Sequence, residues 1–390
     1  MRIASGIGRL GTEGAFEVLS RARALEATGQ HVIHLEIGEP DFPTPGHIVE
    51  AGAQAFRDGH TGYCPAPGIP ELRDAAAAYL SRSRDIAVEP DRVVVAPGAK
   101  PLLFFALLAT CEPGDEVIYP DPGFPIYRSV IEWTGAEPVP LTLLEDRGFA
   151  FDPQALADLL SERTKMVILN FPGNPTGGVL DEAAMEQVVD VLRGHDCWVL
   201  SDEIYSELRY DGRHLSTTMD ERLLARTILL DGCSKAFSMT GWRLGYAALP
   251  SILVEPITRL IINSVSCTAP AVQLAGVAAL NGPWDTVDAM RAEFQHRRDV
   301  VVERLNALPG VRCNTPQGAF YAFPNVAGTG LSAQEFSDRL LTDHGVAVLP
   351  GNGFGRQGAD YLRLSYATCL EDLESAIARM GTLIEQTTAH

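Results

Sequence analysis

Between residues 92 and 250, short β-branched and apolar runs alternate with stretches of helical periodicity. The runs are "RVVVAPG" (92–98), "EVIYP" (116–120), "KMVILNFP" (165–172), "CWVLSD" (197–202) and "RTILLDG" (226–232), and the first leads into an apolar helical pattern from Ala99 to Cys111. Strands that are apolar at nearly every position have both faces buried, and strands joined by helix-length connections pair in parallel. The pattern predicts an α/β fold with a mostly parallel central sheet covered by helices. Open sheets of this kind bind ligands beyond the carboxyl ends of their strands, so chemistry is expected there.

The pattern changes in the last hundred residues. A long polar–apolar helical repeat runs from Trp284 to Leu308, followed by the shorter strand candidates "AFYAFPNV", "VAVLP" and "YLRLSYA". This predicts a smaller α+β domain of ordinary size. Residues 46–285 would form the large domain, and residues 1–45 with 286–390 the small one.

Charge and cysteine usage narrow the function. The 390 residues carry a formal net charge of −19 with no long basic cluster, so a polyanion such as DNA would be repelled. The longest apolar run, "LLFFALLA" (102–109), is far too short for a bilayer, and "MRIASGIGRLG" lacks the apolar core of an export signal. Seven scattered cysteines without a C-x-x-C pair suit free thiols in the cytoplasm rather than a disulfide framework or a zinc site. "GIGRLG" (6–11) matches a dinucleotide fingerprint in letters only, because no βαβ unit surrounds it, and an N-terminal arm is expected instead. His31 and His34 have no third ligand nearby and are expected to be structural; no metal site is expected.

Each predicted strand end carries different chemistry. After "VVVAP" come Gly98, Ala99 and Lys100, which open a helix. Free backbone N–H groups there suit a phosphate, or make an ordinary turn. After "KMVILN" comes "FPGNPTGG", a stiff loop that would hold the Asn174 amide in place. "CWVLSD" ends in Asp202, with Tyr205 three residues on. A carboxylate closing so apolar a run needs a cation, either a structural arginine or the protonated nitrogen of a pyridine ring. "RTILLDG" leads to Lys235, one of three lysines in a chain with 28 arginines. A primary amine can lose its proton and condense with a carbonyl, which a guanidinium cannot. Arg243, eight positions on, offers a planar fork for phosphate. Four adjacent strand ends would thus supply a phosphate cradle, a fixed amide, an acid–tyrosine pair and an imine-forming lysine. That set fits pyridoxal 5′-phosphate (PLP).

Along nearly its whole length the sequence resembles the class I/II aminotransferases, the fold-type I PLP enzymes, and most of all their bacterial aspartate-aminotransferase-like branch. The motifs occur in the family's order: "IGEPDF" (37–42), "YCPAPGIPELR" (63–73), "PGAK" (97–100), "NPTG" (174–177), "SDEIY" (201–205), "SKAFSMTGWRLGY" (234–246), "GAFYAF" (318–323), "PGNGFG" (350–355) and "LRLSYA" (362–367). The resemblance implies that Lys235 forms the internal aldimine and shuttles a proton. It implies that Asp202 keeps the pyridinium protonated, and that Tyr205 and Asn174 bind the ring's phenolic oxygen. Phosphate contacts would come from Arg243, Ser234 and the backbone of Gly98, Ala99 and Lys100, with Phe124 stacked on the ring. Arg363, helped by Gly38 and Asn174, would take the substrate α-carboxylate, and the Asn174–Pro175 bond would be cis. Tyr63 would reach the neighbouring subunit's phosphate, which makes a homodimer part of the expectation.

Two positions depart from the family pattern. Gly232 stands where many relatives have a phosphate-binding serine, and Phe124 where the stacking residue is often Trp or Tyr. The implied reaction moves an amino group from an α-amino acid to a 2-oxo acid by way of pyridoxamine phosphate. The same constellation supports β- or γ-elimination or replacement, whether as a C–S lyase or a specialised C–C bond-forming enzyme. A PLP-sensing regulatory module is a further alternative, against which count the acidic charge and the start of the family match near residue 37. For the donor, two residues point in opposite directions. Lys100 matches a lysine that meets a distal carboxylate in aspartate-specific relatives, or simply opens its helix. Glu17, in "GTEGAFEVL" (11–19) at the expected substrate entrance, would repel a second carboxylate. The donor is left open between them.

Overall fold

A computed structural model describes residues 2–388. Its strands, in chain order, are β1 (Ile33–His34), β2 (Val93–Ala96), β3 (Glu116–Asp121), β4 (Glu137–Thr142), β5 (Thr164–Asn170), β6 (Trp198–Asp202), β7 (Thr227–Gly232), β8 (Gly245–Ala248), β9 (Tyr321–Ala322), β10 (Val346–Ala347), β11 (Leu349–Pro350) and β12 (Leu362–Ser365). Seven of them form the central sheet in the order β2-β8-β7-β6-β5-β3-β4. All neighbours pair in parallel except β8, which is antiparallel to both β2 and β7.

Alternate residues of each strand face opposite layers. Val94 and Ala96 pack with the helices Ala99–Thr110, Pro125–Thr134 and Ser251–Ser264, while Val93 and Val95 join the core formed with Pro70–Arg84 and Pro270–Asn281. Both faces of β2 are therefore covered, which is why its sequence is apolar throughout. The helix predicted over residues 99–111 ends at Thr110, with Cys111 already extended.

Two strands of the sheet were not legible as strands. β4 carries Pro138 and Pro140, and it pairs only with β3 at the sheet edge, where a missing N–H is tolerated. β8, within "RLGYAALP", inserts between β2 and β7. The four chemistry-bearing strand ends are therefore not all adjacent: those of β5, β6 and β7 are, and that of β2 lies one strand further away. Because β8 runs antiparallel to both neighbours, β2 still points the same way as β7, and its carboxyl end reaches the same edge.

In the C-terminal part the long helix spans Asp285–Asn306. "VAVLP" forms two strands rather than one: β10 pairs in parallel with β1, and β11 pairs antiparallel with β12, which continues to β9. Of the N-terminal "GIGRLG", Gly6 to Arg9 lie in a 3-10 turn, Ser5–Arg9, and the Gly11 N–H after it donates to Ser129 Oγ at 2.8 Å. His34 bonds Glu36 through Nδ1 at 2.7 Å and Glu26 through Nε2 at 3.3 Å. Among the described residues no group of three or more His, Cys, Asp or Glu side chains could hold a metal, the seven cysteines are unpaired, and no helix is long and apolar enough to cross a membrane.

Candidate active site

The carboxyl ends of β2, β5, β6 and β7 open into one cleft of about 490 Å³, whose lining includes Lys235, Asp202, Asn174, Tyr205, Arg243 and Arg363. Lys235 follows β7 on the short helix Cys233–Ala236, and its Nζ donates to the Gly38 carbonyl at 2.5 Å. Desolvation lowers its ammonium to about 8 against the pull of Glu39, with Arg363, Lys100 and Arg243 adding their repulsion. A substantial neutral fraction is therefore available near neutral pH, as an imine-forming amine requires.

Asp202 closes β6 and is buried. Tyr127 Oη donates to its Oδ2 at 2.7 Å, and the Ile204 N–H reaches Oδ1 at 3.4 Å. Burial outweighs these donors and raises the carboxyl to about 6. A cationic partner at Oδ1 would reverse that shift. Beside it, Asn170 at the end of β5 donates to the Asp202 carbonyl at 2.9 Å and accepts from the Asn174 N–H at 3.0 Å, which ties the "NPTG" loop to the neighbouring strand. The Asn174–Pro175 bond is cis. Tyr205 shares a hydrogen bond with Tyr321 at 2.8 Å.

Arg363, on β12, comes from the far part of the chain. It donates to Asn174 Oδ1 at 3.4 Å and to the Glu36 carbonyl, and its buried Nε has no partner among the described residues. Burial lowers its pKa, yet a guanidinium remains charged. A buried cation with a free donor is an anion site.

The β2 end of the cleft is shaped by close approach. A Cβ on Gly98 (φ +95°) would lie 2.3 Å from the Arg243 guanidinium, and one on Gly245 would lie 2.3 Å from the Ala99 nitrogen. Arg243 itself has φ +58° and donates to the Thr240 carbonyl at 2.7 Å. Gly232 has a comparable reason, since a Cβ there would meet Gly245 Cα and the Leu244 carbonyl at 3.0 Å. Ser234 and Ala99 line the same end, and Phe124 stands edge-on to Tyr127 at 5.6 Å.

Behind the strand ends, Arg84 bridges β6 and β7. It bonds Glu203 at 2.9 Å and Asp231 at 2.7 Å, and all three are buried. The two carboxylates shift in opposite directions. Burial works against ionisation of both, but His214, Arg84 and Ser216 hold Glu203 down to about 2. Asp231 has only Arg84 and the Gly232 N–H, and burial raises it to about 7. One cation serves two carboxylates, so the proton stays on the one with fewer donors.

Of the residues expected at this site, the structure gathers Gly38, Ala99, Lys100, Phe124, Asn174, Asp202, Tyr205, Ser234, Lys235, Arg243 and Arg363 around one cleft, with Gly98 packed against Arg243. Tyr63 is 90% exposed and outside the cleft of its own chain. Sequence reasoning missed Tyr127, Asn170, Tyr321 and Glu13. Asn170, Tyr321 and Glu13 fall inside "KMVILNFP", "GAFYAF" and "GTEGAFEVL", stretches already singled out, and Tyr127 lies one helical turn after Phe124. Glu13 forms an ion pair with Lys100, and nothing local in the sequence joins them across 87 positions.

An amine of lowered pKa, a buried carboxyl and two guanidinium groups around one cleft define an enzyme site for amino and carboxylate chemistry. The sequence pattern of the family Aminotransferase class I and II matches residues 30–380. An aspartate aminotransferase of Pyrococcus horikoshii is 40% identical over 95% of this chain and 94% of its own. The crystal structure of the aspartate aminotransferase from Rhizobium meliloti superposes with a TM-score of 0.94, at 36% identity over 99% of both chains. That of an aromatic aminotransferase from Pyrococcus horikoshii gives a TM-score of 0.89, at 38% identity over 95% of this chain and all of the other. The chain belongs to the class I and II aminotransferases and is an aminotransferase.

Proposed function

We propose that this enzyme binds PLP at the carboxyl edge of its central sheet and moves an amino group between an α-amino acid and a 2-oxo acid. The observation that carries the reading is Lys235, an amine lowered to about 8, in one cleft with Asp202 and with an anion site at Arg363. The residues fit the cofactor. The glycine-lined hollow beside Arg243 would be filled by a Cβ, the buried Asp202 carboxyl has an acceptor with only one long contact, and Arg363 Nε is unpartnered.

When bound, PLP supplies an aldehyde for the amine and a ring that withdraws electrons from the reacting carbon. Arg243, Ser234 and the backbone of Gly98, Ala99 and Lys100 hold its phosphate, and Phe124 offers a ring face. Asp202, itself held by Tyr127, keeps the ring nitrogen protonated, while Asn174 and Tyr205 donate to the phenolic oxygen. Arg363 takes the substrate α-carboxylate with Gly38 and Asn174. Lys235 Nζ, as a neutral amine, would take the proton from the substrate Cα and give it up on the cofactor side instead of returning it to Cα, since return would leave the amino acid unchanged.

The exposed Tyr63 supports a homodimer in which it completes the neighbouring site. Pairing of β1 with β10 supports a small domain of residues 1–45 and 286–390 beside a large one of 46–285. Seven unpaired cysteines support work in the cytoplasm. The names of the relatives span aspartate and aromatic aminotransferases, so the donor is not carried over from them.

The test is the visible spectrum of the purified protein with PLP, before and after each amino acid is added without an oxo acid. A yellow band that some donor converts is the expected result. No yellow band would refute the cofactor reading, and a persistent band with release of ammonia would replace aminotransfer by elimination.

A further inference from the structure

Beyond Arg363 the cleft opens, between the helix Gly14–Glu26 and the turn Gly351–Phe354, into a cavity of about 190 Å³. Its walls are mainly apolar, from Ala15, Val18, Phe124, Pro125, Leu349 and Phe354. Arg363, Glu13, Ala15 and Phe124 line both spaces, so a substrate held by its α-carboxylate at Arg363 has this space within reach of its side chain.

The lining of cleft and cavity includes five cations: Arg21, Lys100, Lys235, Arg243 and Arg363. Lys235 and Arg363 are engaged with the reacting end, and Arg243 stands at the Gly98 end. Among the described residues of this chain, a second substrate carboxylate would have only Lys100 and Arg21 left. Lys100 is paired with Glu13 and lies 5.4 Å from the Phe124 ring centre. Arg21 is paired with Asp338 at 2.6 Å. Glu17 lines the same cavity and has no hydrogen-bond or ion-pair partner among the described residues. Outer cations are thus neutralised from within the chain, and one carboxylate is left over.

Resting on the aminotransfer reading, we propose that Glu13 and Glu17 set the donor class. Glu13 occupies Lys100 in place of a substrate carboxylate, and Glu17 repels one, so the enzyme takes amino acids with an uncharged, mainly apolar side chain and rejects dicarboxylic ones. A second carboxylate that approaches Lys100 in the cleft must displace Glu13, and one that extends into the cavity meets Glu17 with Arg21 already paired to Asp338. Like charges set this close cost at least about tenfold in affinity.

The test is calorimetric titration of the PLP-loaded enzyme with succinate and with 3-phenylpropionate, non-reactive mimics of the two donor classes. We expect 3-phenylpropionate to bind at least about tenfold more tightly, and succinate to gain at least about tenfold in the Glu13→Gln, Glu17→Gln double variant while 3-phenylpropionate changes far less. The single variant Glu17→Gln, at an exposed helical position, should shift succinate in the same direction by a smaller factor. Succinate binding as tightly as 3-phenylpropionate to the unmodified enzyme, or gaining nothing in the double variant, overturns the proposal. The two readings fail differently. A yellow enzyme converted by aspartate but not by leucine or phenylalanine overturns the donor class and leaves aminotransfer standing, whereas no yellow band at all removes aminotransfer itself.

Discussion

The two ends of the cleft are built on different principles. The inner end stands on the carboxyl termini of β5, β6 and β7, whose backbones are bonded into the sheet, and its Asp202 and Arg363 are 7% and 4% exposed. Tyr127 bonds the Asp202 carboxylate and Asn174 the Arg363 guanidinium, while the Arg84 cluster lies behind them. The outer end is a face of the helix Gly14–Glu26 laid over the cavity, and its ion pairs are open to water: the side chains of Lys100, Arg21 and Asp338 are 40–45% exposed. Charge in the first environment is costly unless partnered and powerful once it is; charge in the second is screened and adjustable. The difference teaches where chemistry and selectivity reside. On the proposed reading, groups whose protonation must be controlled sit at the buried end, and groups that would discriminate between substrates sit at the exposed end, where a substitution endangers the fold less.

The largest effect should come from the inner end. Lys235→Ala removes the buried amine of lowered pKa, leaving in the cleft only Lys100, which is paired with Glu13, and turnover should fall by about 10³-fold or more, measured as the rate of conversion of one donor. Asp202→Asn leaves the shape but removes the charge, and a loss of about 10²-fold or more in the same assay is expected.

The Arg84 cluster sharpens the contrast within the buried layer. Glu203→Gln should cost about 3–5 kcal/mol in denaturant unfolding, because Arg84 loses its ionised partner. Asp231→Asn should cost far less, since Asp231 already holds its proton below about 7. The signs with pH follow. Glu203, held down to about 2, contributes stability above the ordinary carboxylate range that is lost as pH falls from about 4.5 toward 2. Asp231, raised to about 7, makes stability decline as pH rises from about 4 to 7, and Asp231→Asn should flatten that decline in melting curves.

For Lys235, PLP uptake by cofactor-free protein should speed up as pH rises to about 8 and then level off. An ordinary lysine amine would keep gaining past pH 10. The smallest effect belongs to the outer rim. Breaking the Arg21–Asp338 pair with Asp338→Asn should change unfolding free energy by no more than about 1 kcal/mol, against several at Glu203.

Most of the inner end was legible in the sequence because each part is local. An apolar run ends, and the polar residue after it lands at the sheet edge, as with Asp202 after "CWVLS" and Lys235 after "TILLDGCS". What was illegible shows the limit of such reading. β4 was masked by Pro138 and Pro140, tolerated only at an edge that the sequence does not mark. β8 begins inside the motif "SKAFSMTGWRLGY", which the alternating pattern does not mark as a strand, and its place between β2 and β7 separated strand ends expected to be neighbours. "VAVLP" read as one strand because periodicity does not reveal a change of partner at Val348. Tyr127 was within reach, one turn from Phe124, but its bond to Asp202 spans 75 positions.

The sequence by itself determined the α/β class, the family and which residues close each strand, because periodicity, burial and turn residues act over a few neighbours. Tertiary structure alone decided which of those ends stand side by side, that Arg84 shares its charge unequally between Glu203 and Asp231, and that Lys100 meets Glu13. Those outcomes depend on which distant segments pack together. Electrostatic energy follows distance in space and the water left between charges, and neither is written in the spacing of residues along the chain.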